Sequence, residues 1–109
     1  MSEEKQMQKY LPLTEATYYI MLALDEPLHG YGVMQKVKKT SEGTVDVGPG
    51  TLYGAFSTLQ EEGLIRMVKK EDRRKVYALT SKGMQVLRGQ IQRLQIMTKL
   101  GSDFLSRLG

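Results

Sequence analysis

Apolar residues along the chain change their period several times, and each change predicts a change of element. Ala16, Tyr19, Ile20, Ala23 and Leu24 recur at helical spacing. Thr14 stands where a hydroxyl caps such a helix, Glu15 favours its positive end, and Asp25-Glu26-Pro27 ends it. Val33, Met34 and Val37 form the stripe of a second helix, from about His29-Gly30 to Thr40. Lys36, Lys38 and Lys39 gather toward its C-terminal end, where cations complement the helix dipole, and Glu42-Gly43 closes it. Thr44-Val45-Asp46-Val47 is β-branched and alternating, which predicts a short strand. Pro49 suits the first turn of a third helix, whose inward face holds Leu52, Ala55, Phe56 and Leu59. Gly63 is placed to take a left-handed cap, with Leu64 folding back onto the helix end. Leu64 to Lys70 and Lys75 to Thr80 read as two strands joined by the charged turn Glu71-Asp72-Arg73-Arg74. Ser81 then caps a fourth helix, in which Met84, Leu87, Ile91, Leu94, Met97, Leu100, Phe104 and Leu108 step by three or four. Gly89 and Gly101 weaken the expectation that this helix is unbroken. The first dozen residues are polar with scattered Met7, Tyr10 and Leu11, compatible with a short helix that has no evident partner.

Composition bounds these elements to the size of one domain. The chain has 109 residues, 40% hydrophobic and 26% charged, the profile of a globular protein rather than a disordered tail. It lacks cysteine, which removes a disulfide framework, a cysteine nucleophile and a thiolate zinc site, and fits a reducing compartment. No apolar run approaches the roughly 20 residues that cross a bilayer, and Met1-Ser2-Glu3-Glu4-Lys5 lacks the layout of a secretion signal. A cytoplasmic location, with no membrane partner, is the expectation.

The net charge is +4, and its placement is informative. Residues 66 to 75 hold six cations and two anions, so this short stretch carries the whole basic excess. Just before it, the outer face of the third helix holds Gly50, Tyr53, Gly54, Ser57 and Glu61, with Thr51 at its start. Apart from Glu61 that face is small and uncharged, whereas a solvated face usually carries Lys and Glu. Small residues let a backbone come close to DNA, and the helix N-terminus offers free N–H groups to a phosphate. They serve equally to pack against another protein helix. The basic hairpin, with Arg73, Arg74 and Lys75 at its tip, moves the balance toward double-stranded DNA, though alone it reads as a solvated turn.

Enzyme chemistry finds no foothold. His29 is the single histidine and reads as a turn residue at the start of a helix. Ser57 and Ser81 have no base in a recognisable motif. Gly48-Pro49-Gly50 lacks the lysine of a phosphate loop. No cofactor or metal is expected.

Gly50-Thr51-Leu52-Tyr53, Leu59-Gln60-Glu61-Glu62-Gly63-Leu64-Ile65, Arg73-Arg74-Lys75-Val76-Tyr77-Ala78-Leu79-Thr80 with Gly83, and His29-Gly30-Tyr31-Gly32 together resemble the PadR family of bacterial transcriptional regulators. The resemblance covers roughly Leu13 to Leu87, and the single C-terminal helix looks like the family's compact subgroup. It implies a homodimeric winged helix-turn-helix repressor, with the third helix in the major groove and the hairpin wing on flanking DNA. Thr51 and Tyr53 match the recognition-helix motif, Tyr31 a second-helix position near the DNA backbone, and Arg73, Arg74 and Lys75 the wing. Ser41 to Val47 is too long for a tight helix-turn-helix turn, and the family pattern accommodates it as a strand.

The fold class expected is mainly α with a small β-hairpin (α+β). A winged helix-turn-helix domain with an N-terminal extension occupies residues 1–80, and a dimerisation helix residues 81–109. A fourth helix of about 28 residues would be on the order of 40 Å long, more than one small domain covers. The seam residues Leu87, Ile91, Leu94, Met97, Leu100, Phe104 and Leu108 therefore ask for a partner subunit, and Val86, Ile96 and Leu105 extend the apolar surface. The alternative is that the seam packs on the first helix of its own chain. Some relatives bind aromatic or drug-like effectors between subunits. Met84, Met97 and Phe104, with Met7 or Tyr10, are candidates to line such a space, although a methionine stripe also serves as plain core. A winged-helix module that binds protein instead of DNA is the remaining alternative.

Overall fold

The structure, a computed structural model, describes residues 7–109. Its elements follow in the order α1 (Glu15–Ala23), β1 (Leu28–His29), α2 (Gly30–Thr40), α3 (Pro49–Glu61), β2 (Ile65–Glu71), β3 (Arg74–Leu79) and α4 (Ser81–Arg107). The beginning of the expected N-terminal helix lies outside the described residues. Met7, Tyr10 and Leu11 pack against the core.

Each helix start has a local cause. The Thr14 hydroxyl accepts from the Thr17 N–H at the start of α1. The His29 imidazole does the same for Gly32 at the start of α2, at 3.2 Å. Pro49 occupies the first turn of α3. At α4 the cap is Thr80, one residue before the expected Ser81; its Oγ1 accepts from the Gly83 N–H and donates to the Gly63 carbonyl. Gly63 takes φ +75° after α3, and the Leu64 N–H returns to the Leu59 carbonyl at 2.9 Å. That return turns the chain from α3 straight into the hairpin.

The sheet is three-stranded and antiparallel, ordered β1-β3-β2. Two expectations are corrected here. The third strand is not Thr44–Val47 but Leu28–His29, with Leu28 opposite Tyr77 and His29 opposite Val76. Thr44–Val47 is irregular. Its alternation is real, since Val45 and Val47 are buried, but a side chain replaces the ladder: the Val45 N–H donates to Ser41 Oγ at 3.0 Å. The hairpin turn is also tighter than four residues. Glu71 and Arg74 pair across the ladder, leaving only Asp72 and Arg73, with Asp72 at φ +55° as primed hairpin turns require. A register shift between Met67 and Lys69 bends β2.

The core holds Ile20, Met21 and Leu24 of α1 and its end, Val33 and Val37 of α2, Leu52, Phe56 and Leu59 of α3, Leu64 from the bend before β2, and Ile65 and Tyr77 from the sheet. Val86 and Leu87 join from the first turns of α4. Leu87, expected in a seam between subunits, is 6% exposed within its own chain. Its burial needs no partner, because α4 starts against the Leu64 backbone. A Cβ on Gly83 would run into the Leu64 carbonyl oxygen. Buried Gln90 accepts from the Leu13 N–H at 3.0 Å, tying the approach to α1 onto α4. Gly89 does not break the helix; it admits Leu11, whose Cδ1 lies 2.9 Å from where a Cβ would stand. From Gln95 onward every residue is exposed. The 27-residue helix thus begins as core and ends as a free arm.

Candidate nucleic-acid interface

The wheel expected of α3 is observed. Leu52, Phe56 and Leu59 are buried, while Gly50, Thr51, Tyr53, Gly54, Ser57 and Glu61 are exposed. No atom would meet a Cβ at Gly50 or Gly54 within 4 Å, so both glycines leave the helix surface open. Phe56 is the pivot of this element. Its ring lies 4.5 Å from Tyr77 of β3 and 6.0 Å, edge-on, from Tyr53. One aromatic chain therefore runs from the exposed face of α3 through the core to the wing.

Tyr53 is 52% exposed, with its ring edge-on to Phe56. Its phenol lies over Gly30, where an added Cβ would come within 2.5 Å of the hydroxyl oxygen. Gly30 opens α2, directly before Tyr31, which is also exposed. β1 brings this helix start beside the wing, because His29 pairs with Val76. The result is a cleft of about 370 Å³ lined by His29, Gly30, Tyr31, Tyr53, Tyr77 and the wing residues Arg73, Arg74 and Lys75. Five residues expected to face DNA, from three separate stretches of sequence, thus meet around one space. Gly50, Thr51, Gly54 and Ser57 lie beside it on α3 and do not line it.

The cleft is electropositive. Arg73, Arg74 and Lys75 are exposed, and no salt bridge engages them among the described residues. Glu71 is taken by Lys69 at 2.6 Å, and that hydrogen bond holds its carboxyl below the ordinary glutamate range. Lys36 is likewise engaged, pairing with Asp25 and Glu26.

His29, expected as a turn residue at the start of a helix, is the side-chain cap of α2 and also lines the cleft. Gly30 carried no sign that it makes room for Tyr53, which lies 23 positions away. The residues expected around an effector are not gathered in one cavity of this chain. Met7 and Tyr10 pack on the core, whereas Met84, Met97 and Phe104 are exposed along α4. Among the described residues no helix is long and apolar enough to cross a membrane.

Residues 20–89 match the model of the transcriptional regulator PadR-like family. An uncharacterized 37.1 kDa protein in transposon TN4556 of Streptomyces fradiae is 34% identical over 74 residues, 67% of this chain and 21% of that protein. The transcriptional regulator YqjI of Escherichia coli (strain K12) is 29% identical over 69 residues, 63% of this chain and 33% of its own. The chain therefore spans a third or less of these curated relatives. Among solved structures, a PadR-like transcriptional regulator from Bacillus cereus superposes with TM-score 0.69 at 25% identity, covering 92% of this chain and 96% of that one. A PadR family transcription regulator from Clostridium difficile gives TM-score 0.67 at 24% identity over 82% and 96%. The fold is a winged helix, the family one of regulators and not of enzymes, and this chain belongs to the PadR-like family of transcriptional regulators.

Proposed function

We propose that the protein is a sequence-specific, double-stranded-DNA-binding repressor that acts as a homodimer in the cytoplasm. One observation carries the DNA reading: Tyr31, Tyr53, Arg73, Arg74 and Lys75 converge on one cleft beside an open helix face that is uncharged apart from Glu61. In this reading α3 enters the major groove, with Thr51 and Tyr53 leading and Gly50, Gly54 and Ser57 allowing close approach. Tyr31 and the wing cations hold phosphates on either side.

Dimerisation falls to the exposed arm of α4. Met97, Leu100, Phe104 and Leu108 are each more than half exposed, and Ile96 and Leu105 widen the apolar surface. A monomeric protein does not normally leave such a stripe in water. Ile91 and Leu94, half-buried, join the stripe to the core. Residues 1–80 then act as the DNA-binding unit and residues 81–109 as the arm that sets its spacing. Release by an aromatic or drug-like effector would use space that the second subunit completes.

Selection of bound duplexes from a random pool, followed by titration across salt, tests the reading. The expected outcome is an inverted repeat whose affinity falls steeply between low and moderate salt. Absence of duplex binding even at low salt would overturn it and leave a protein-binding winged helix in its place.

A further inference from the structure

His29 is the chain's single histidine, and its ring is asked to do two things at once. Nδ1 accepts from the Gly32 N–H at 3.2 Å, capping α2. A nitrogen that accepts carries no proton, so the neutral ring holds its proton at Nε2. Nε2 lies 3.4 Å from Nη1 of Arg74, a group that only donates. Two donors therefore adjoin each other in the lining of the cleft. The other tautomer would let Nε2 accept from Arg74, but it would set Nδ1–H against the Gly32 N–H and leave the helix uncapped. One proton cannot satisfy both contacts. A third group whose acceptor atoms reach both Nε2 and Nη1 satisfies both.

The surroundings define that group. Glu71 is already engaged by Lys69. The charged side chains that line the cleft are Arg73, Arg74 and Lys75, so the site favours an anion. A phosphate diester offers two unesterified oxygens, which can accept from two adjacent donors.

We propose that the neutral imidazole of His29 and the guanidinium of Arg74 form a two-donor clamp for one phosphate of the DNA backbone. This rests on the DNA reading above and adds to it a residue that acts without charge. The histidine transmits its position from both sides of the interface: its backbone is strand β1 and its side chain caps α2. The clamp therefore fixes the wing and the second helix on the same phosphate.

The test uses the untagged full chain, so that His29 remains the only imidazole. Long-range proton–nitrogen spectra of the free protein report the tautomer directly, and the proton is expected on Nε2. His29→Asn keeps an acceptor at the Nδ1 position and removes the distal donor. His29→Gln keeps a distal donor and removes the cap. With a random-sequence duplex at low salt, His29→Asn should melt like the wild type and bind roughly tenfold more weakly, the loss of one hydrogen bond to a charged group. Its salt slope should stay unchanged, whereas Arg74→Ala should lower the slope by about 0.9. His29→Gln should melt lower and keep more of the affinity than His29→Asn. Wild-type affinity in His29→Asn would reduce the histidine to a cap and overturn the clamp. A slope reduced by about one in that variant would show an imidazolium and overturn the neutral form. A proton on Nδ1 in the free protein would refute the geometry whether or not DNA binds. If the wild type bound no duplex while the proton lay on Nε2, the DNA reading would fall, and the clamp's phosphate with it.

Discussion

At the scale of single residues, the fit of Tyr53 over Gly30 decides what the third helix presents. An Ala at position 30 would need space now filled by the phenol, and the phenol is the end of a side chain free to swing. Gly30→Ala should therefore leave the fold intact and move Tyr53. The expected outcome is a shifted base preference in duplex selection, similar to that of Tyr53→Ala, with the melting temperature little changed. Arg73 gives the contrasting case, since it is exposed at the wing turn. Arg73→Ala should weaken binding by a similar factor on every duplex and lower the salt slope, while Tyr53→Ala should cost about 1–3 kcal/mol at particular base pairs. Equal losses on all sequences for both variants would contradict a base-reading role for Tyr53.

At the scale of elements, stability and site geometry share the same residues. Phe56 joins α3 to β3 through Tyr77, so Phe56→Ala should cost about 3–5 kcal/mol in denaturant unfolding. Thr80 performs two tasks at the start of α4, capping Gly83 and binding the Gly63 carbonyl. Thr80→Ala should cost about 1–2 kcal/mol and loosen the joint between wing and arm. A weaker link binds α1 to α2. The hydrogen bond from Lys36 holds the Asp25 carboxyl below its ordinary pKa. A lowered folded-state pKa means stability that is present above the unfolded value and lost as pH falls through the folded one. The pair is exposed, so its contribution is on the order of 0.5 kcal/mol. The stability difference between the wild type and Asp25→Asn should be measurable at neutral pH and vanish as pH drops below about 4.

At the scale of the whole molecule, the question is what covers the free half of α4. The chain extends 55 Å along its longest axis, and the residues from Gln95 onward are exposed. Leu100→Glu places a charge in the middle of the apolar stripe at a position that is 68% exposed in its own chain. Sedimentation should show a monomer with an unchanged helical spectrum, and affinity for an inverted repeat should fall toward that for a single half-site. A dimer that survives this substitution would remove α4 from the interface.

Hydrophobic period and punctuation determined much by themselves. Three amphipathic helices, a basic hairpin and a long terminal helix are local consequences of spacing, of Pro49 and Gly63, and of capping hydroxyls, so they could be read in order. Asymmetry of charge marked the wing for the same reason, because it needs only a count along the chain. What the sequence could not supply were pairings between distant positions. A two-residue strand has no period, so only the tertiary structure shows that Leu28–His29, and not Thr44–Val47, completes the sheet. That pairing carries His29 to Arg74 across 45 positions, and packing of Gly30 against Tyr53 closes the cleft. Leu87 and Leu100 share one seam in sequence, yet the first is core and the second is bare, because α4 leaves the domain partway along its length. Periodicity specifies which face of a helix is apolar; only the fold decides what each part of that face meets.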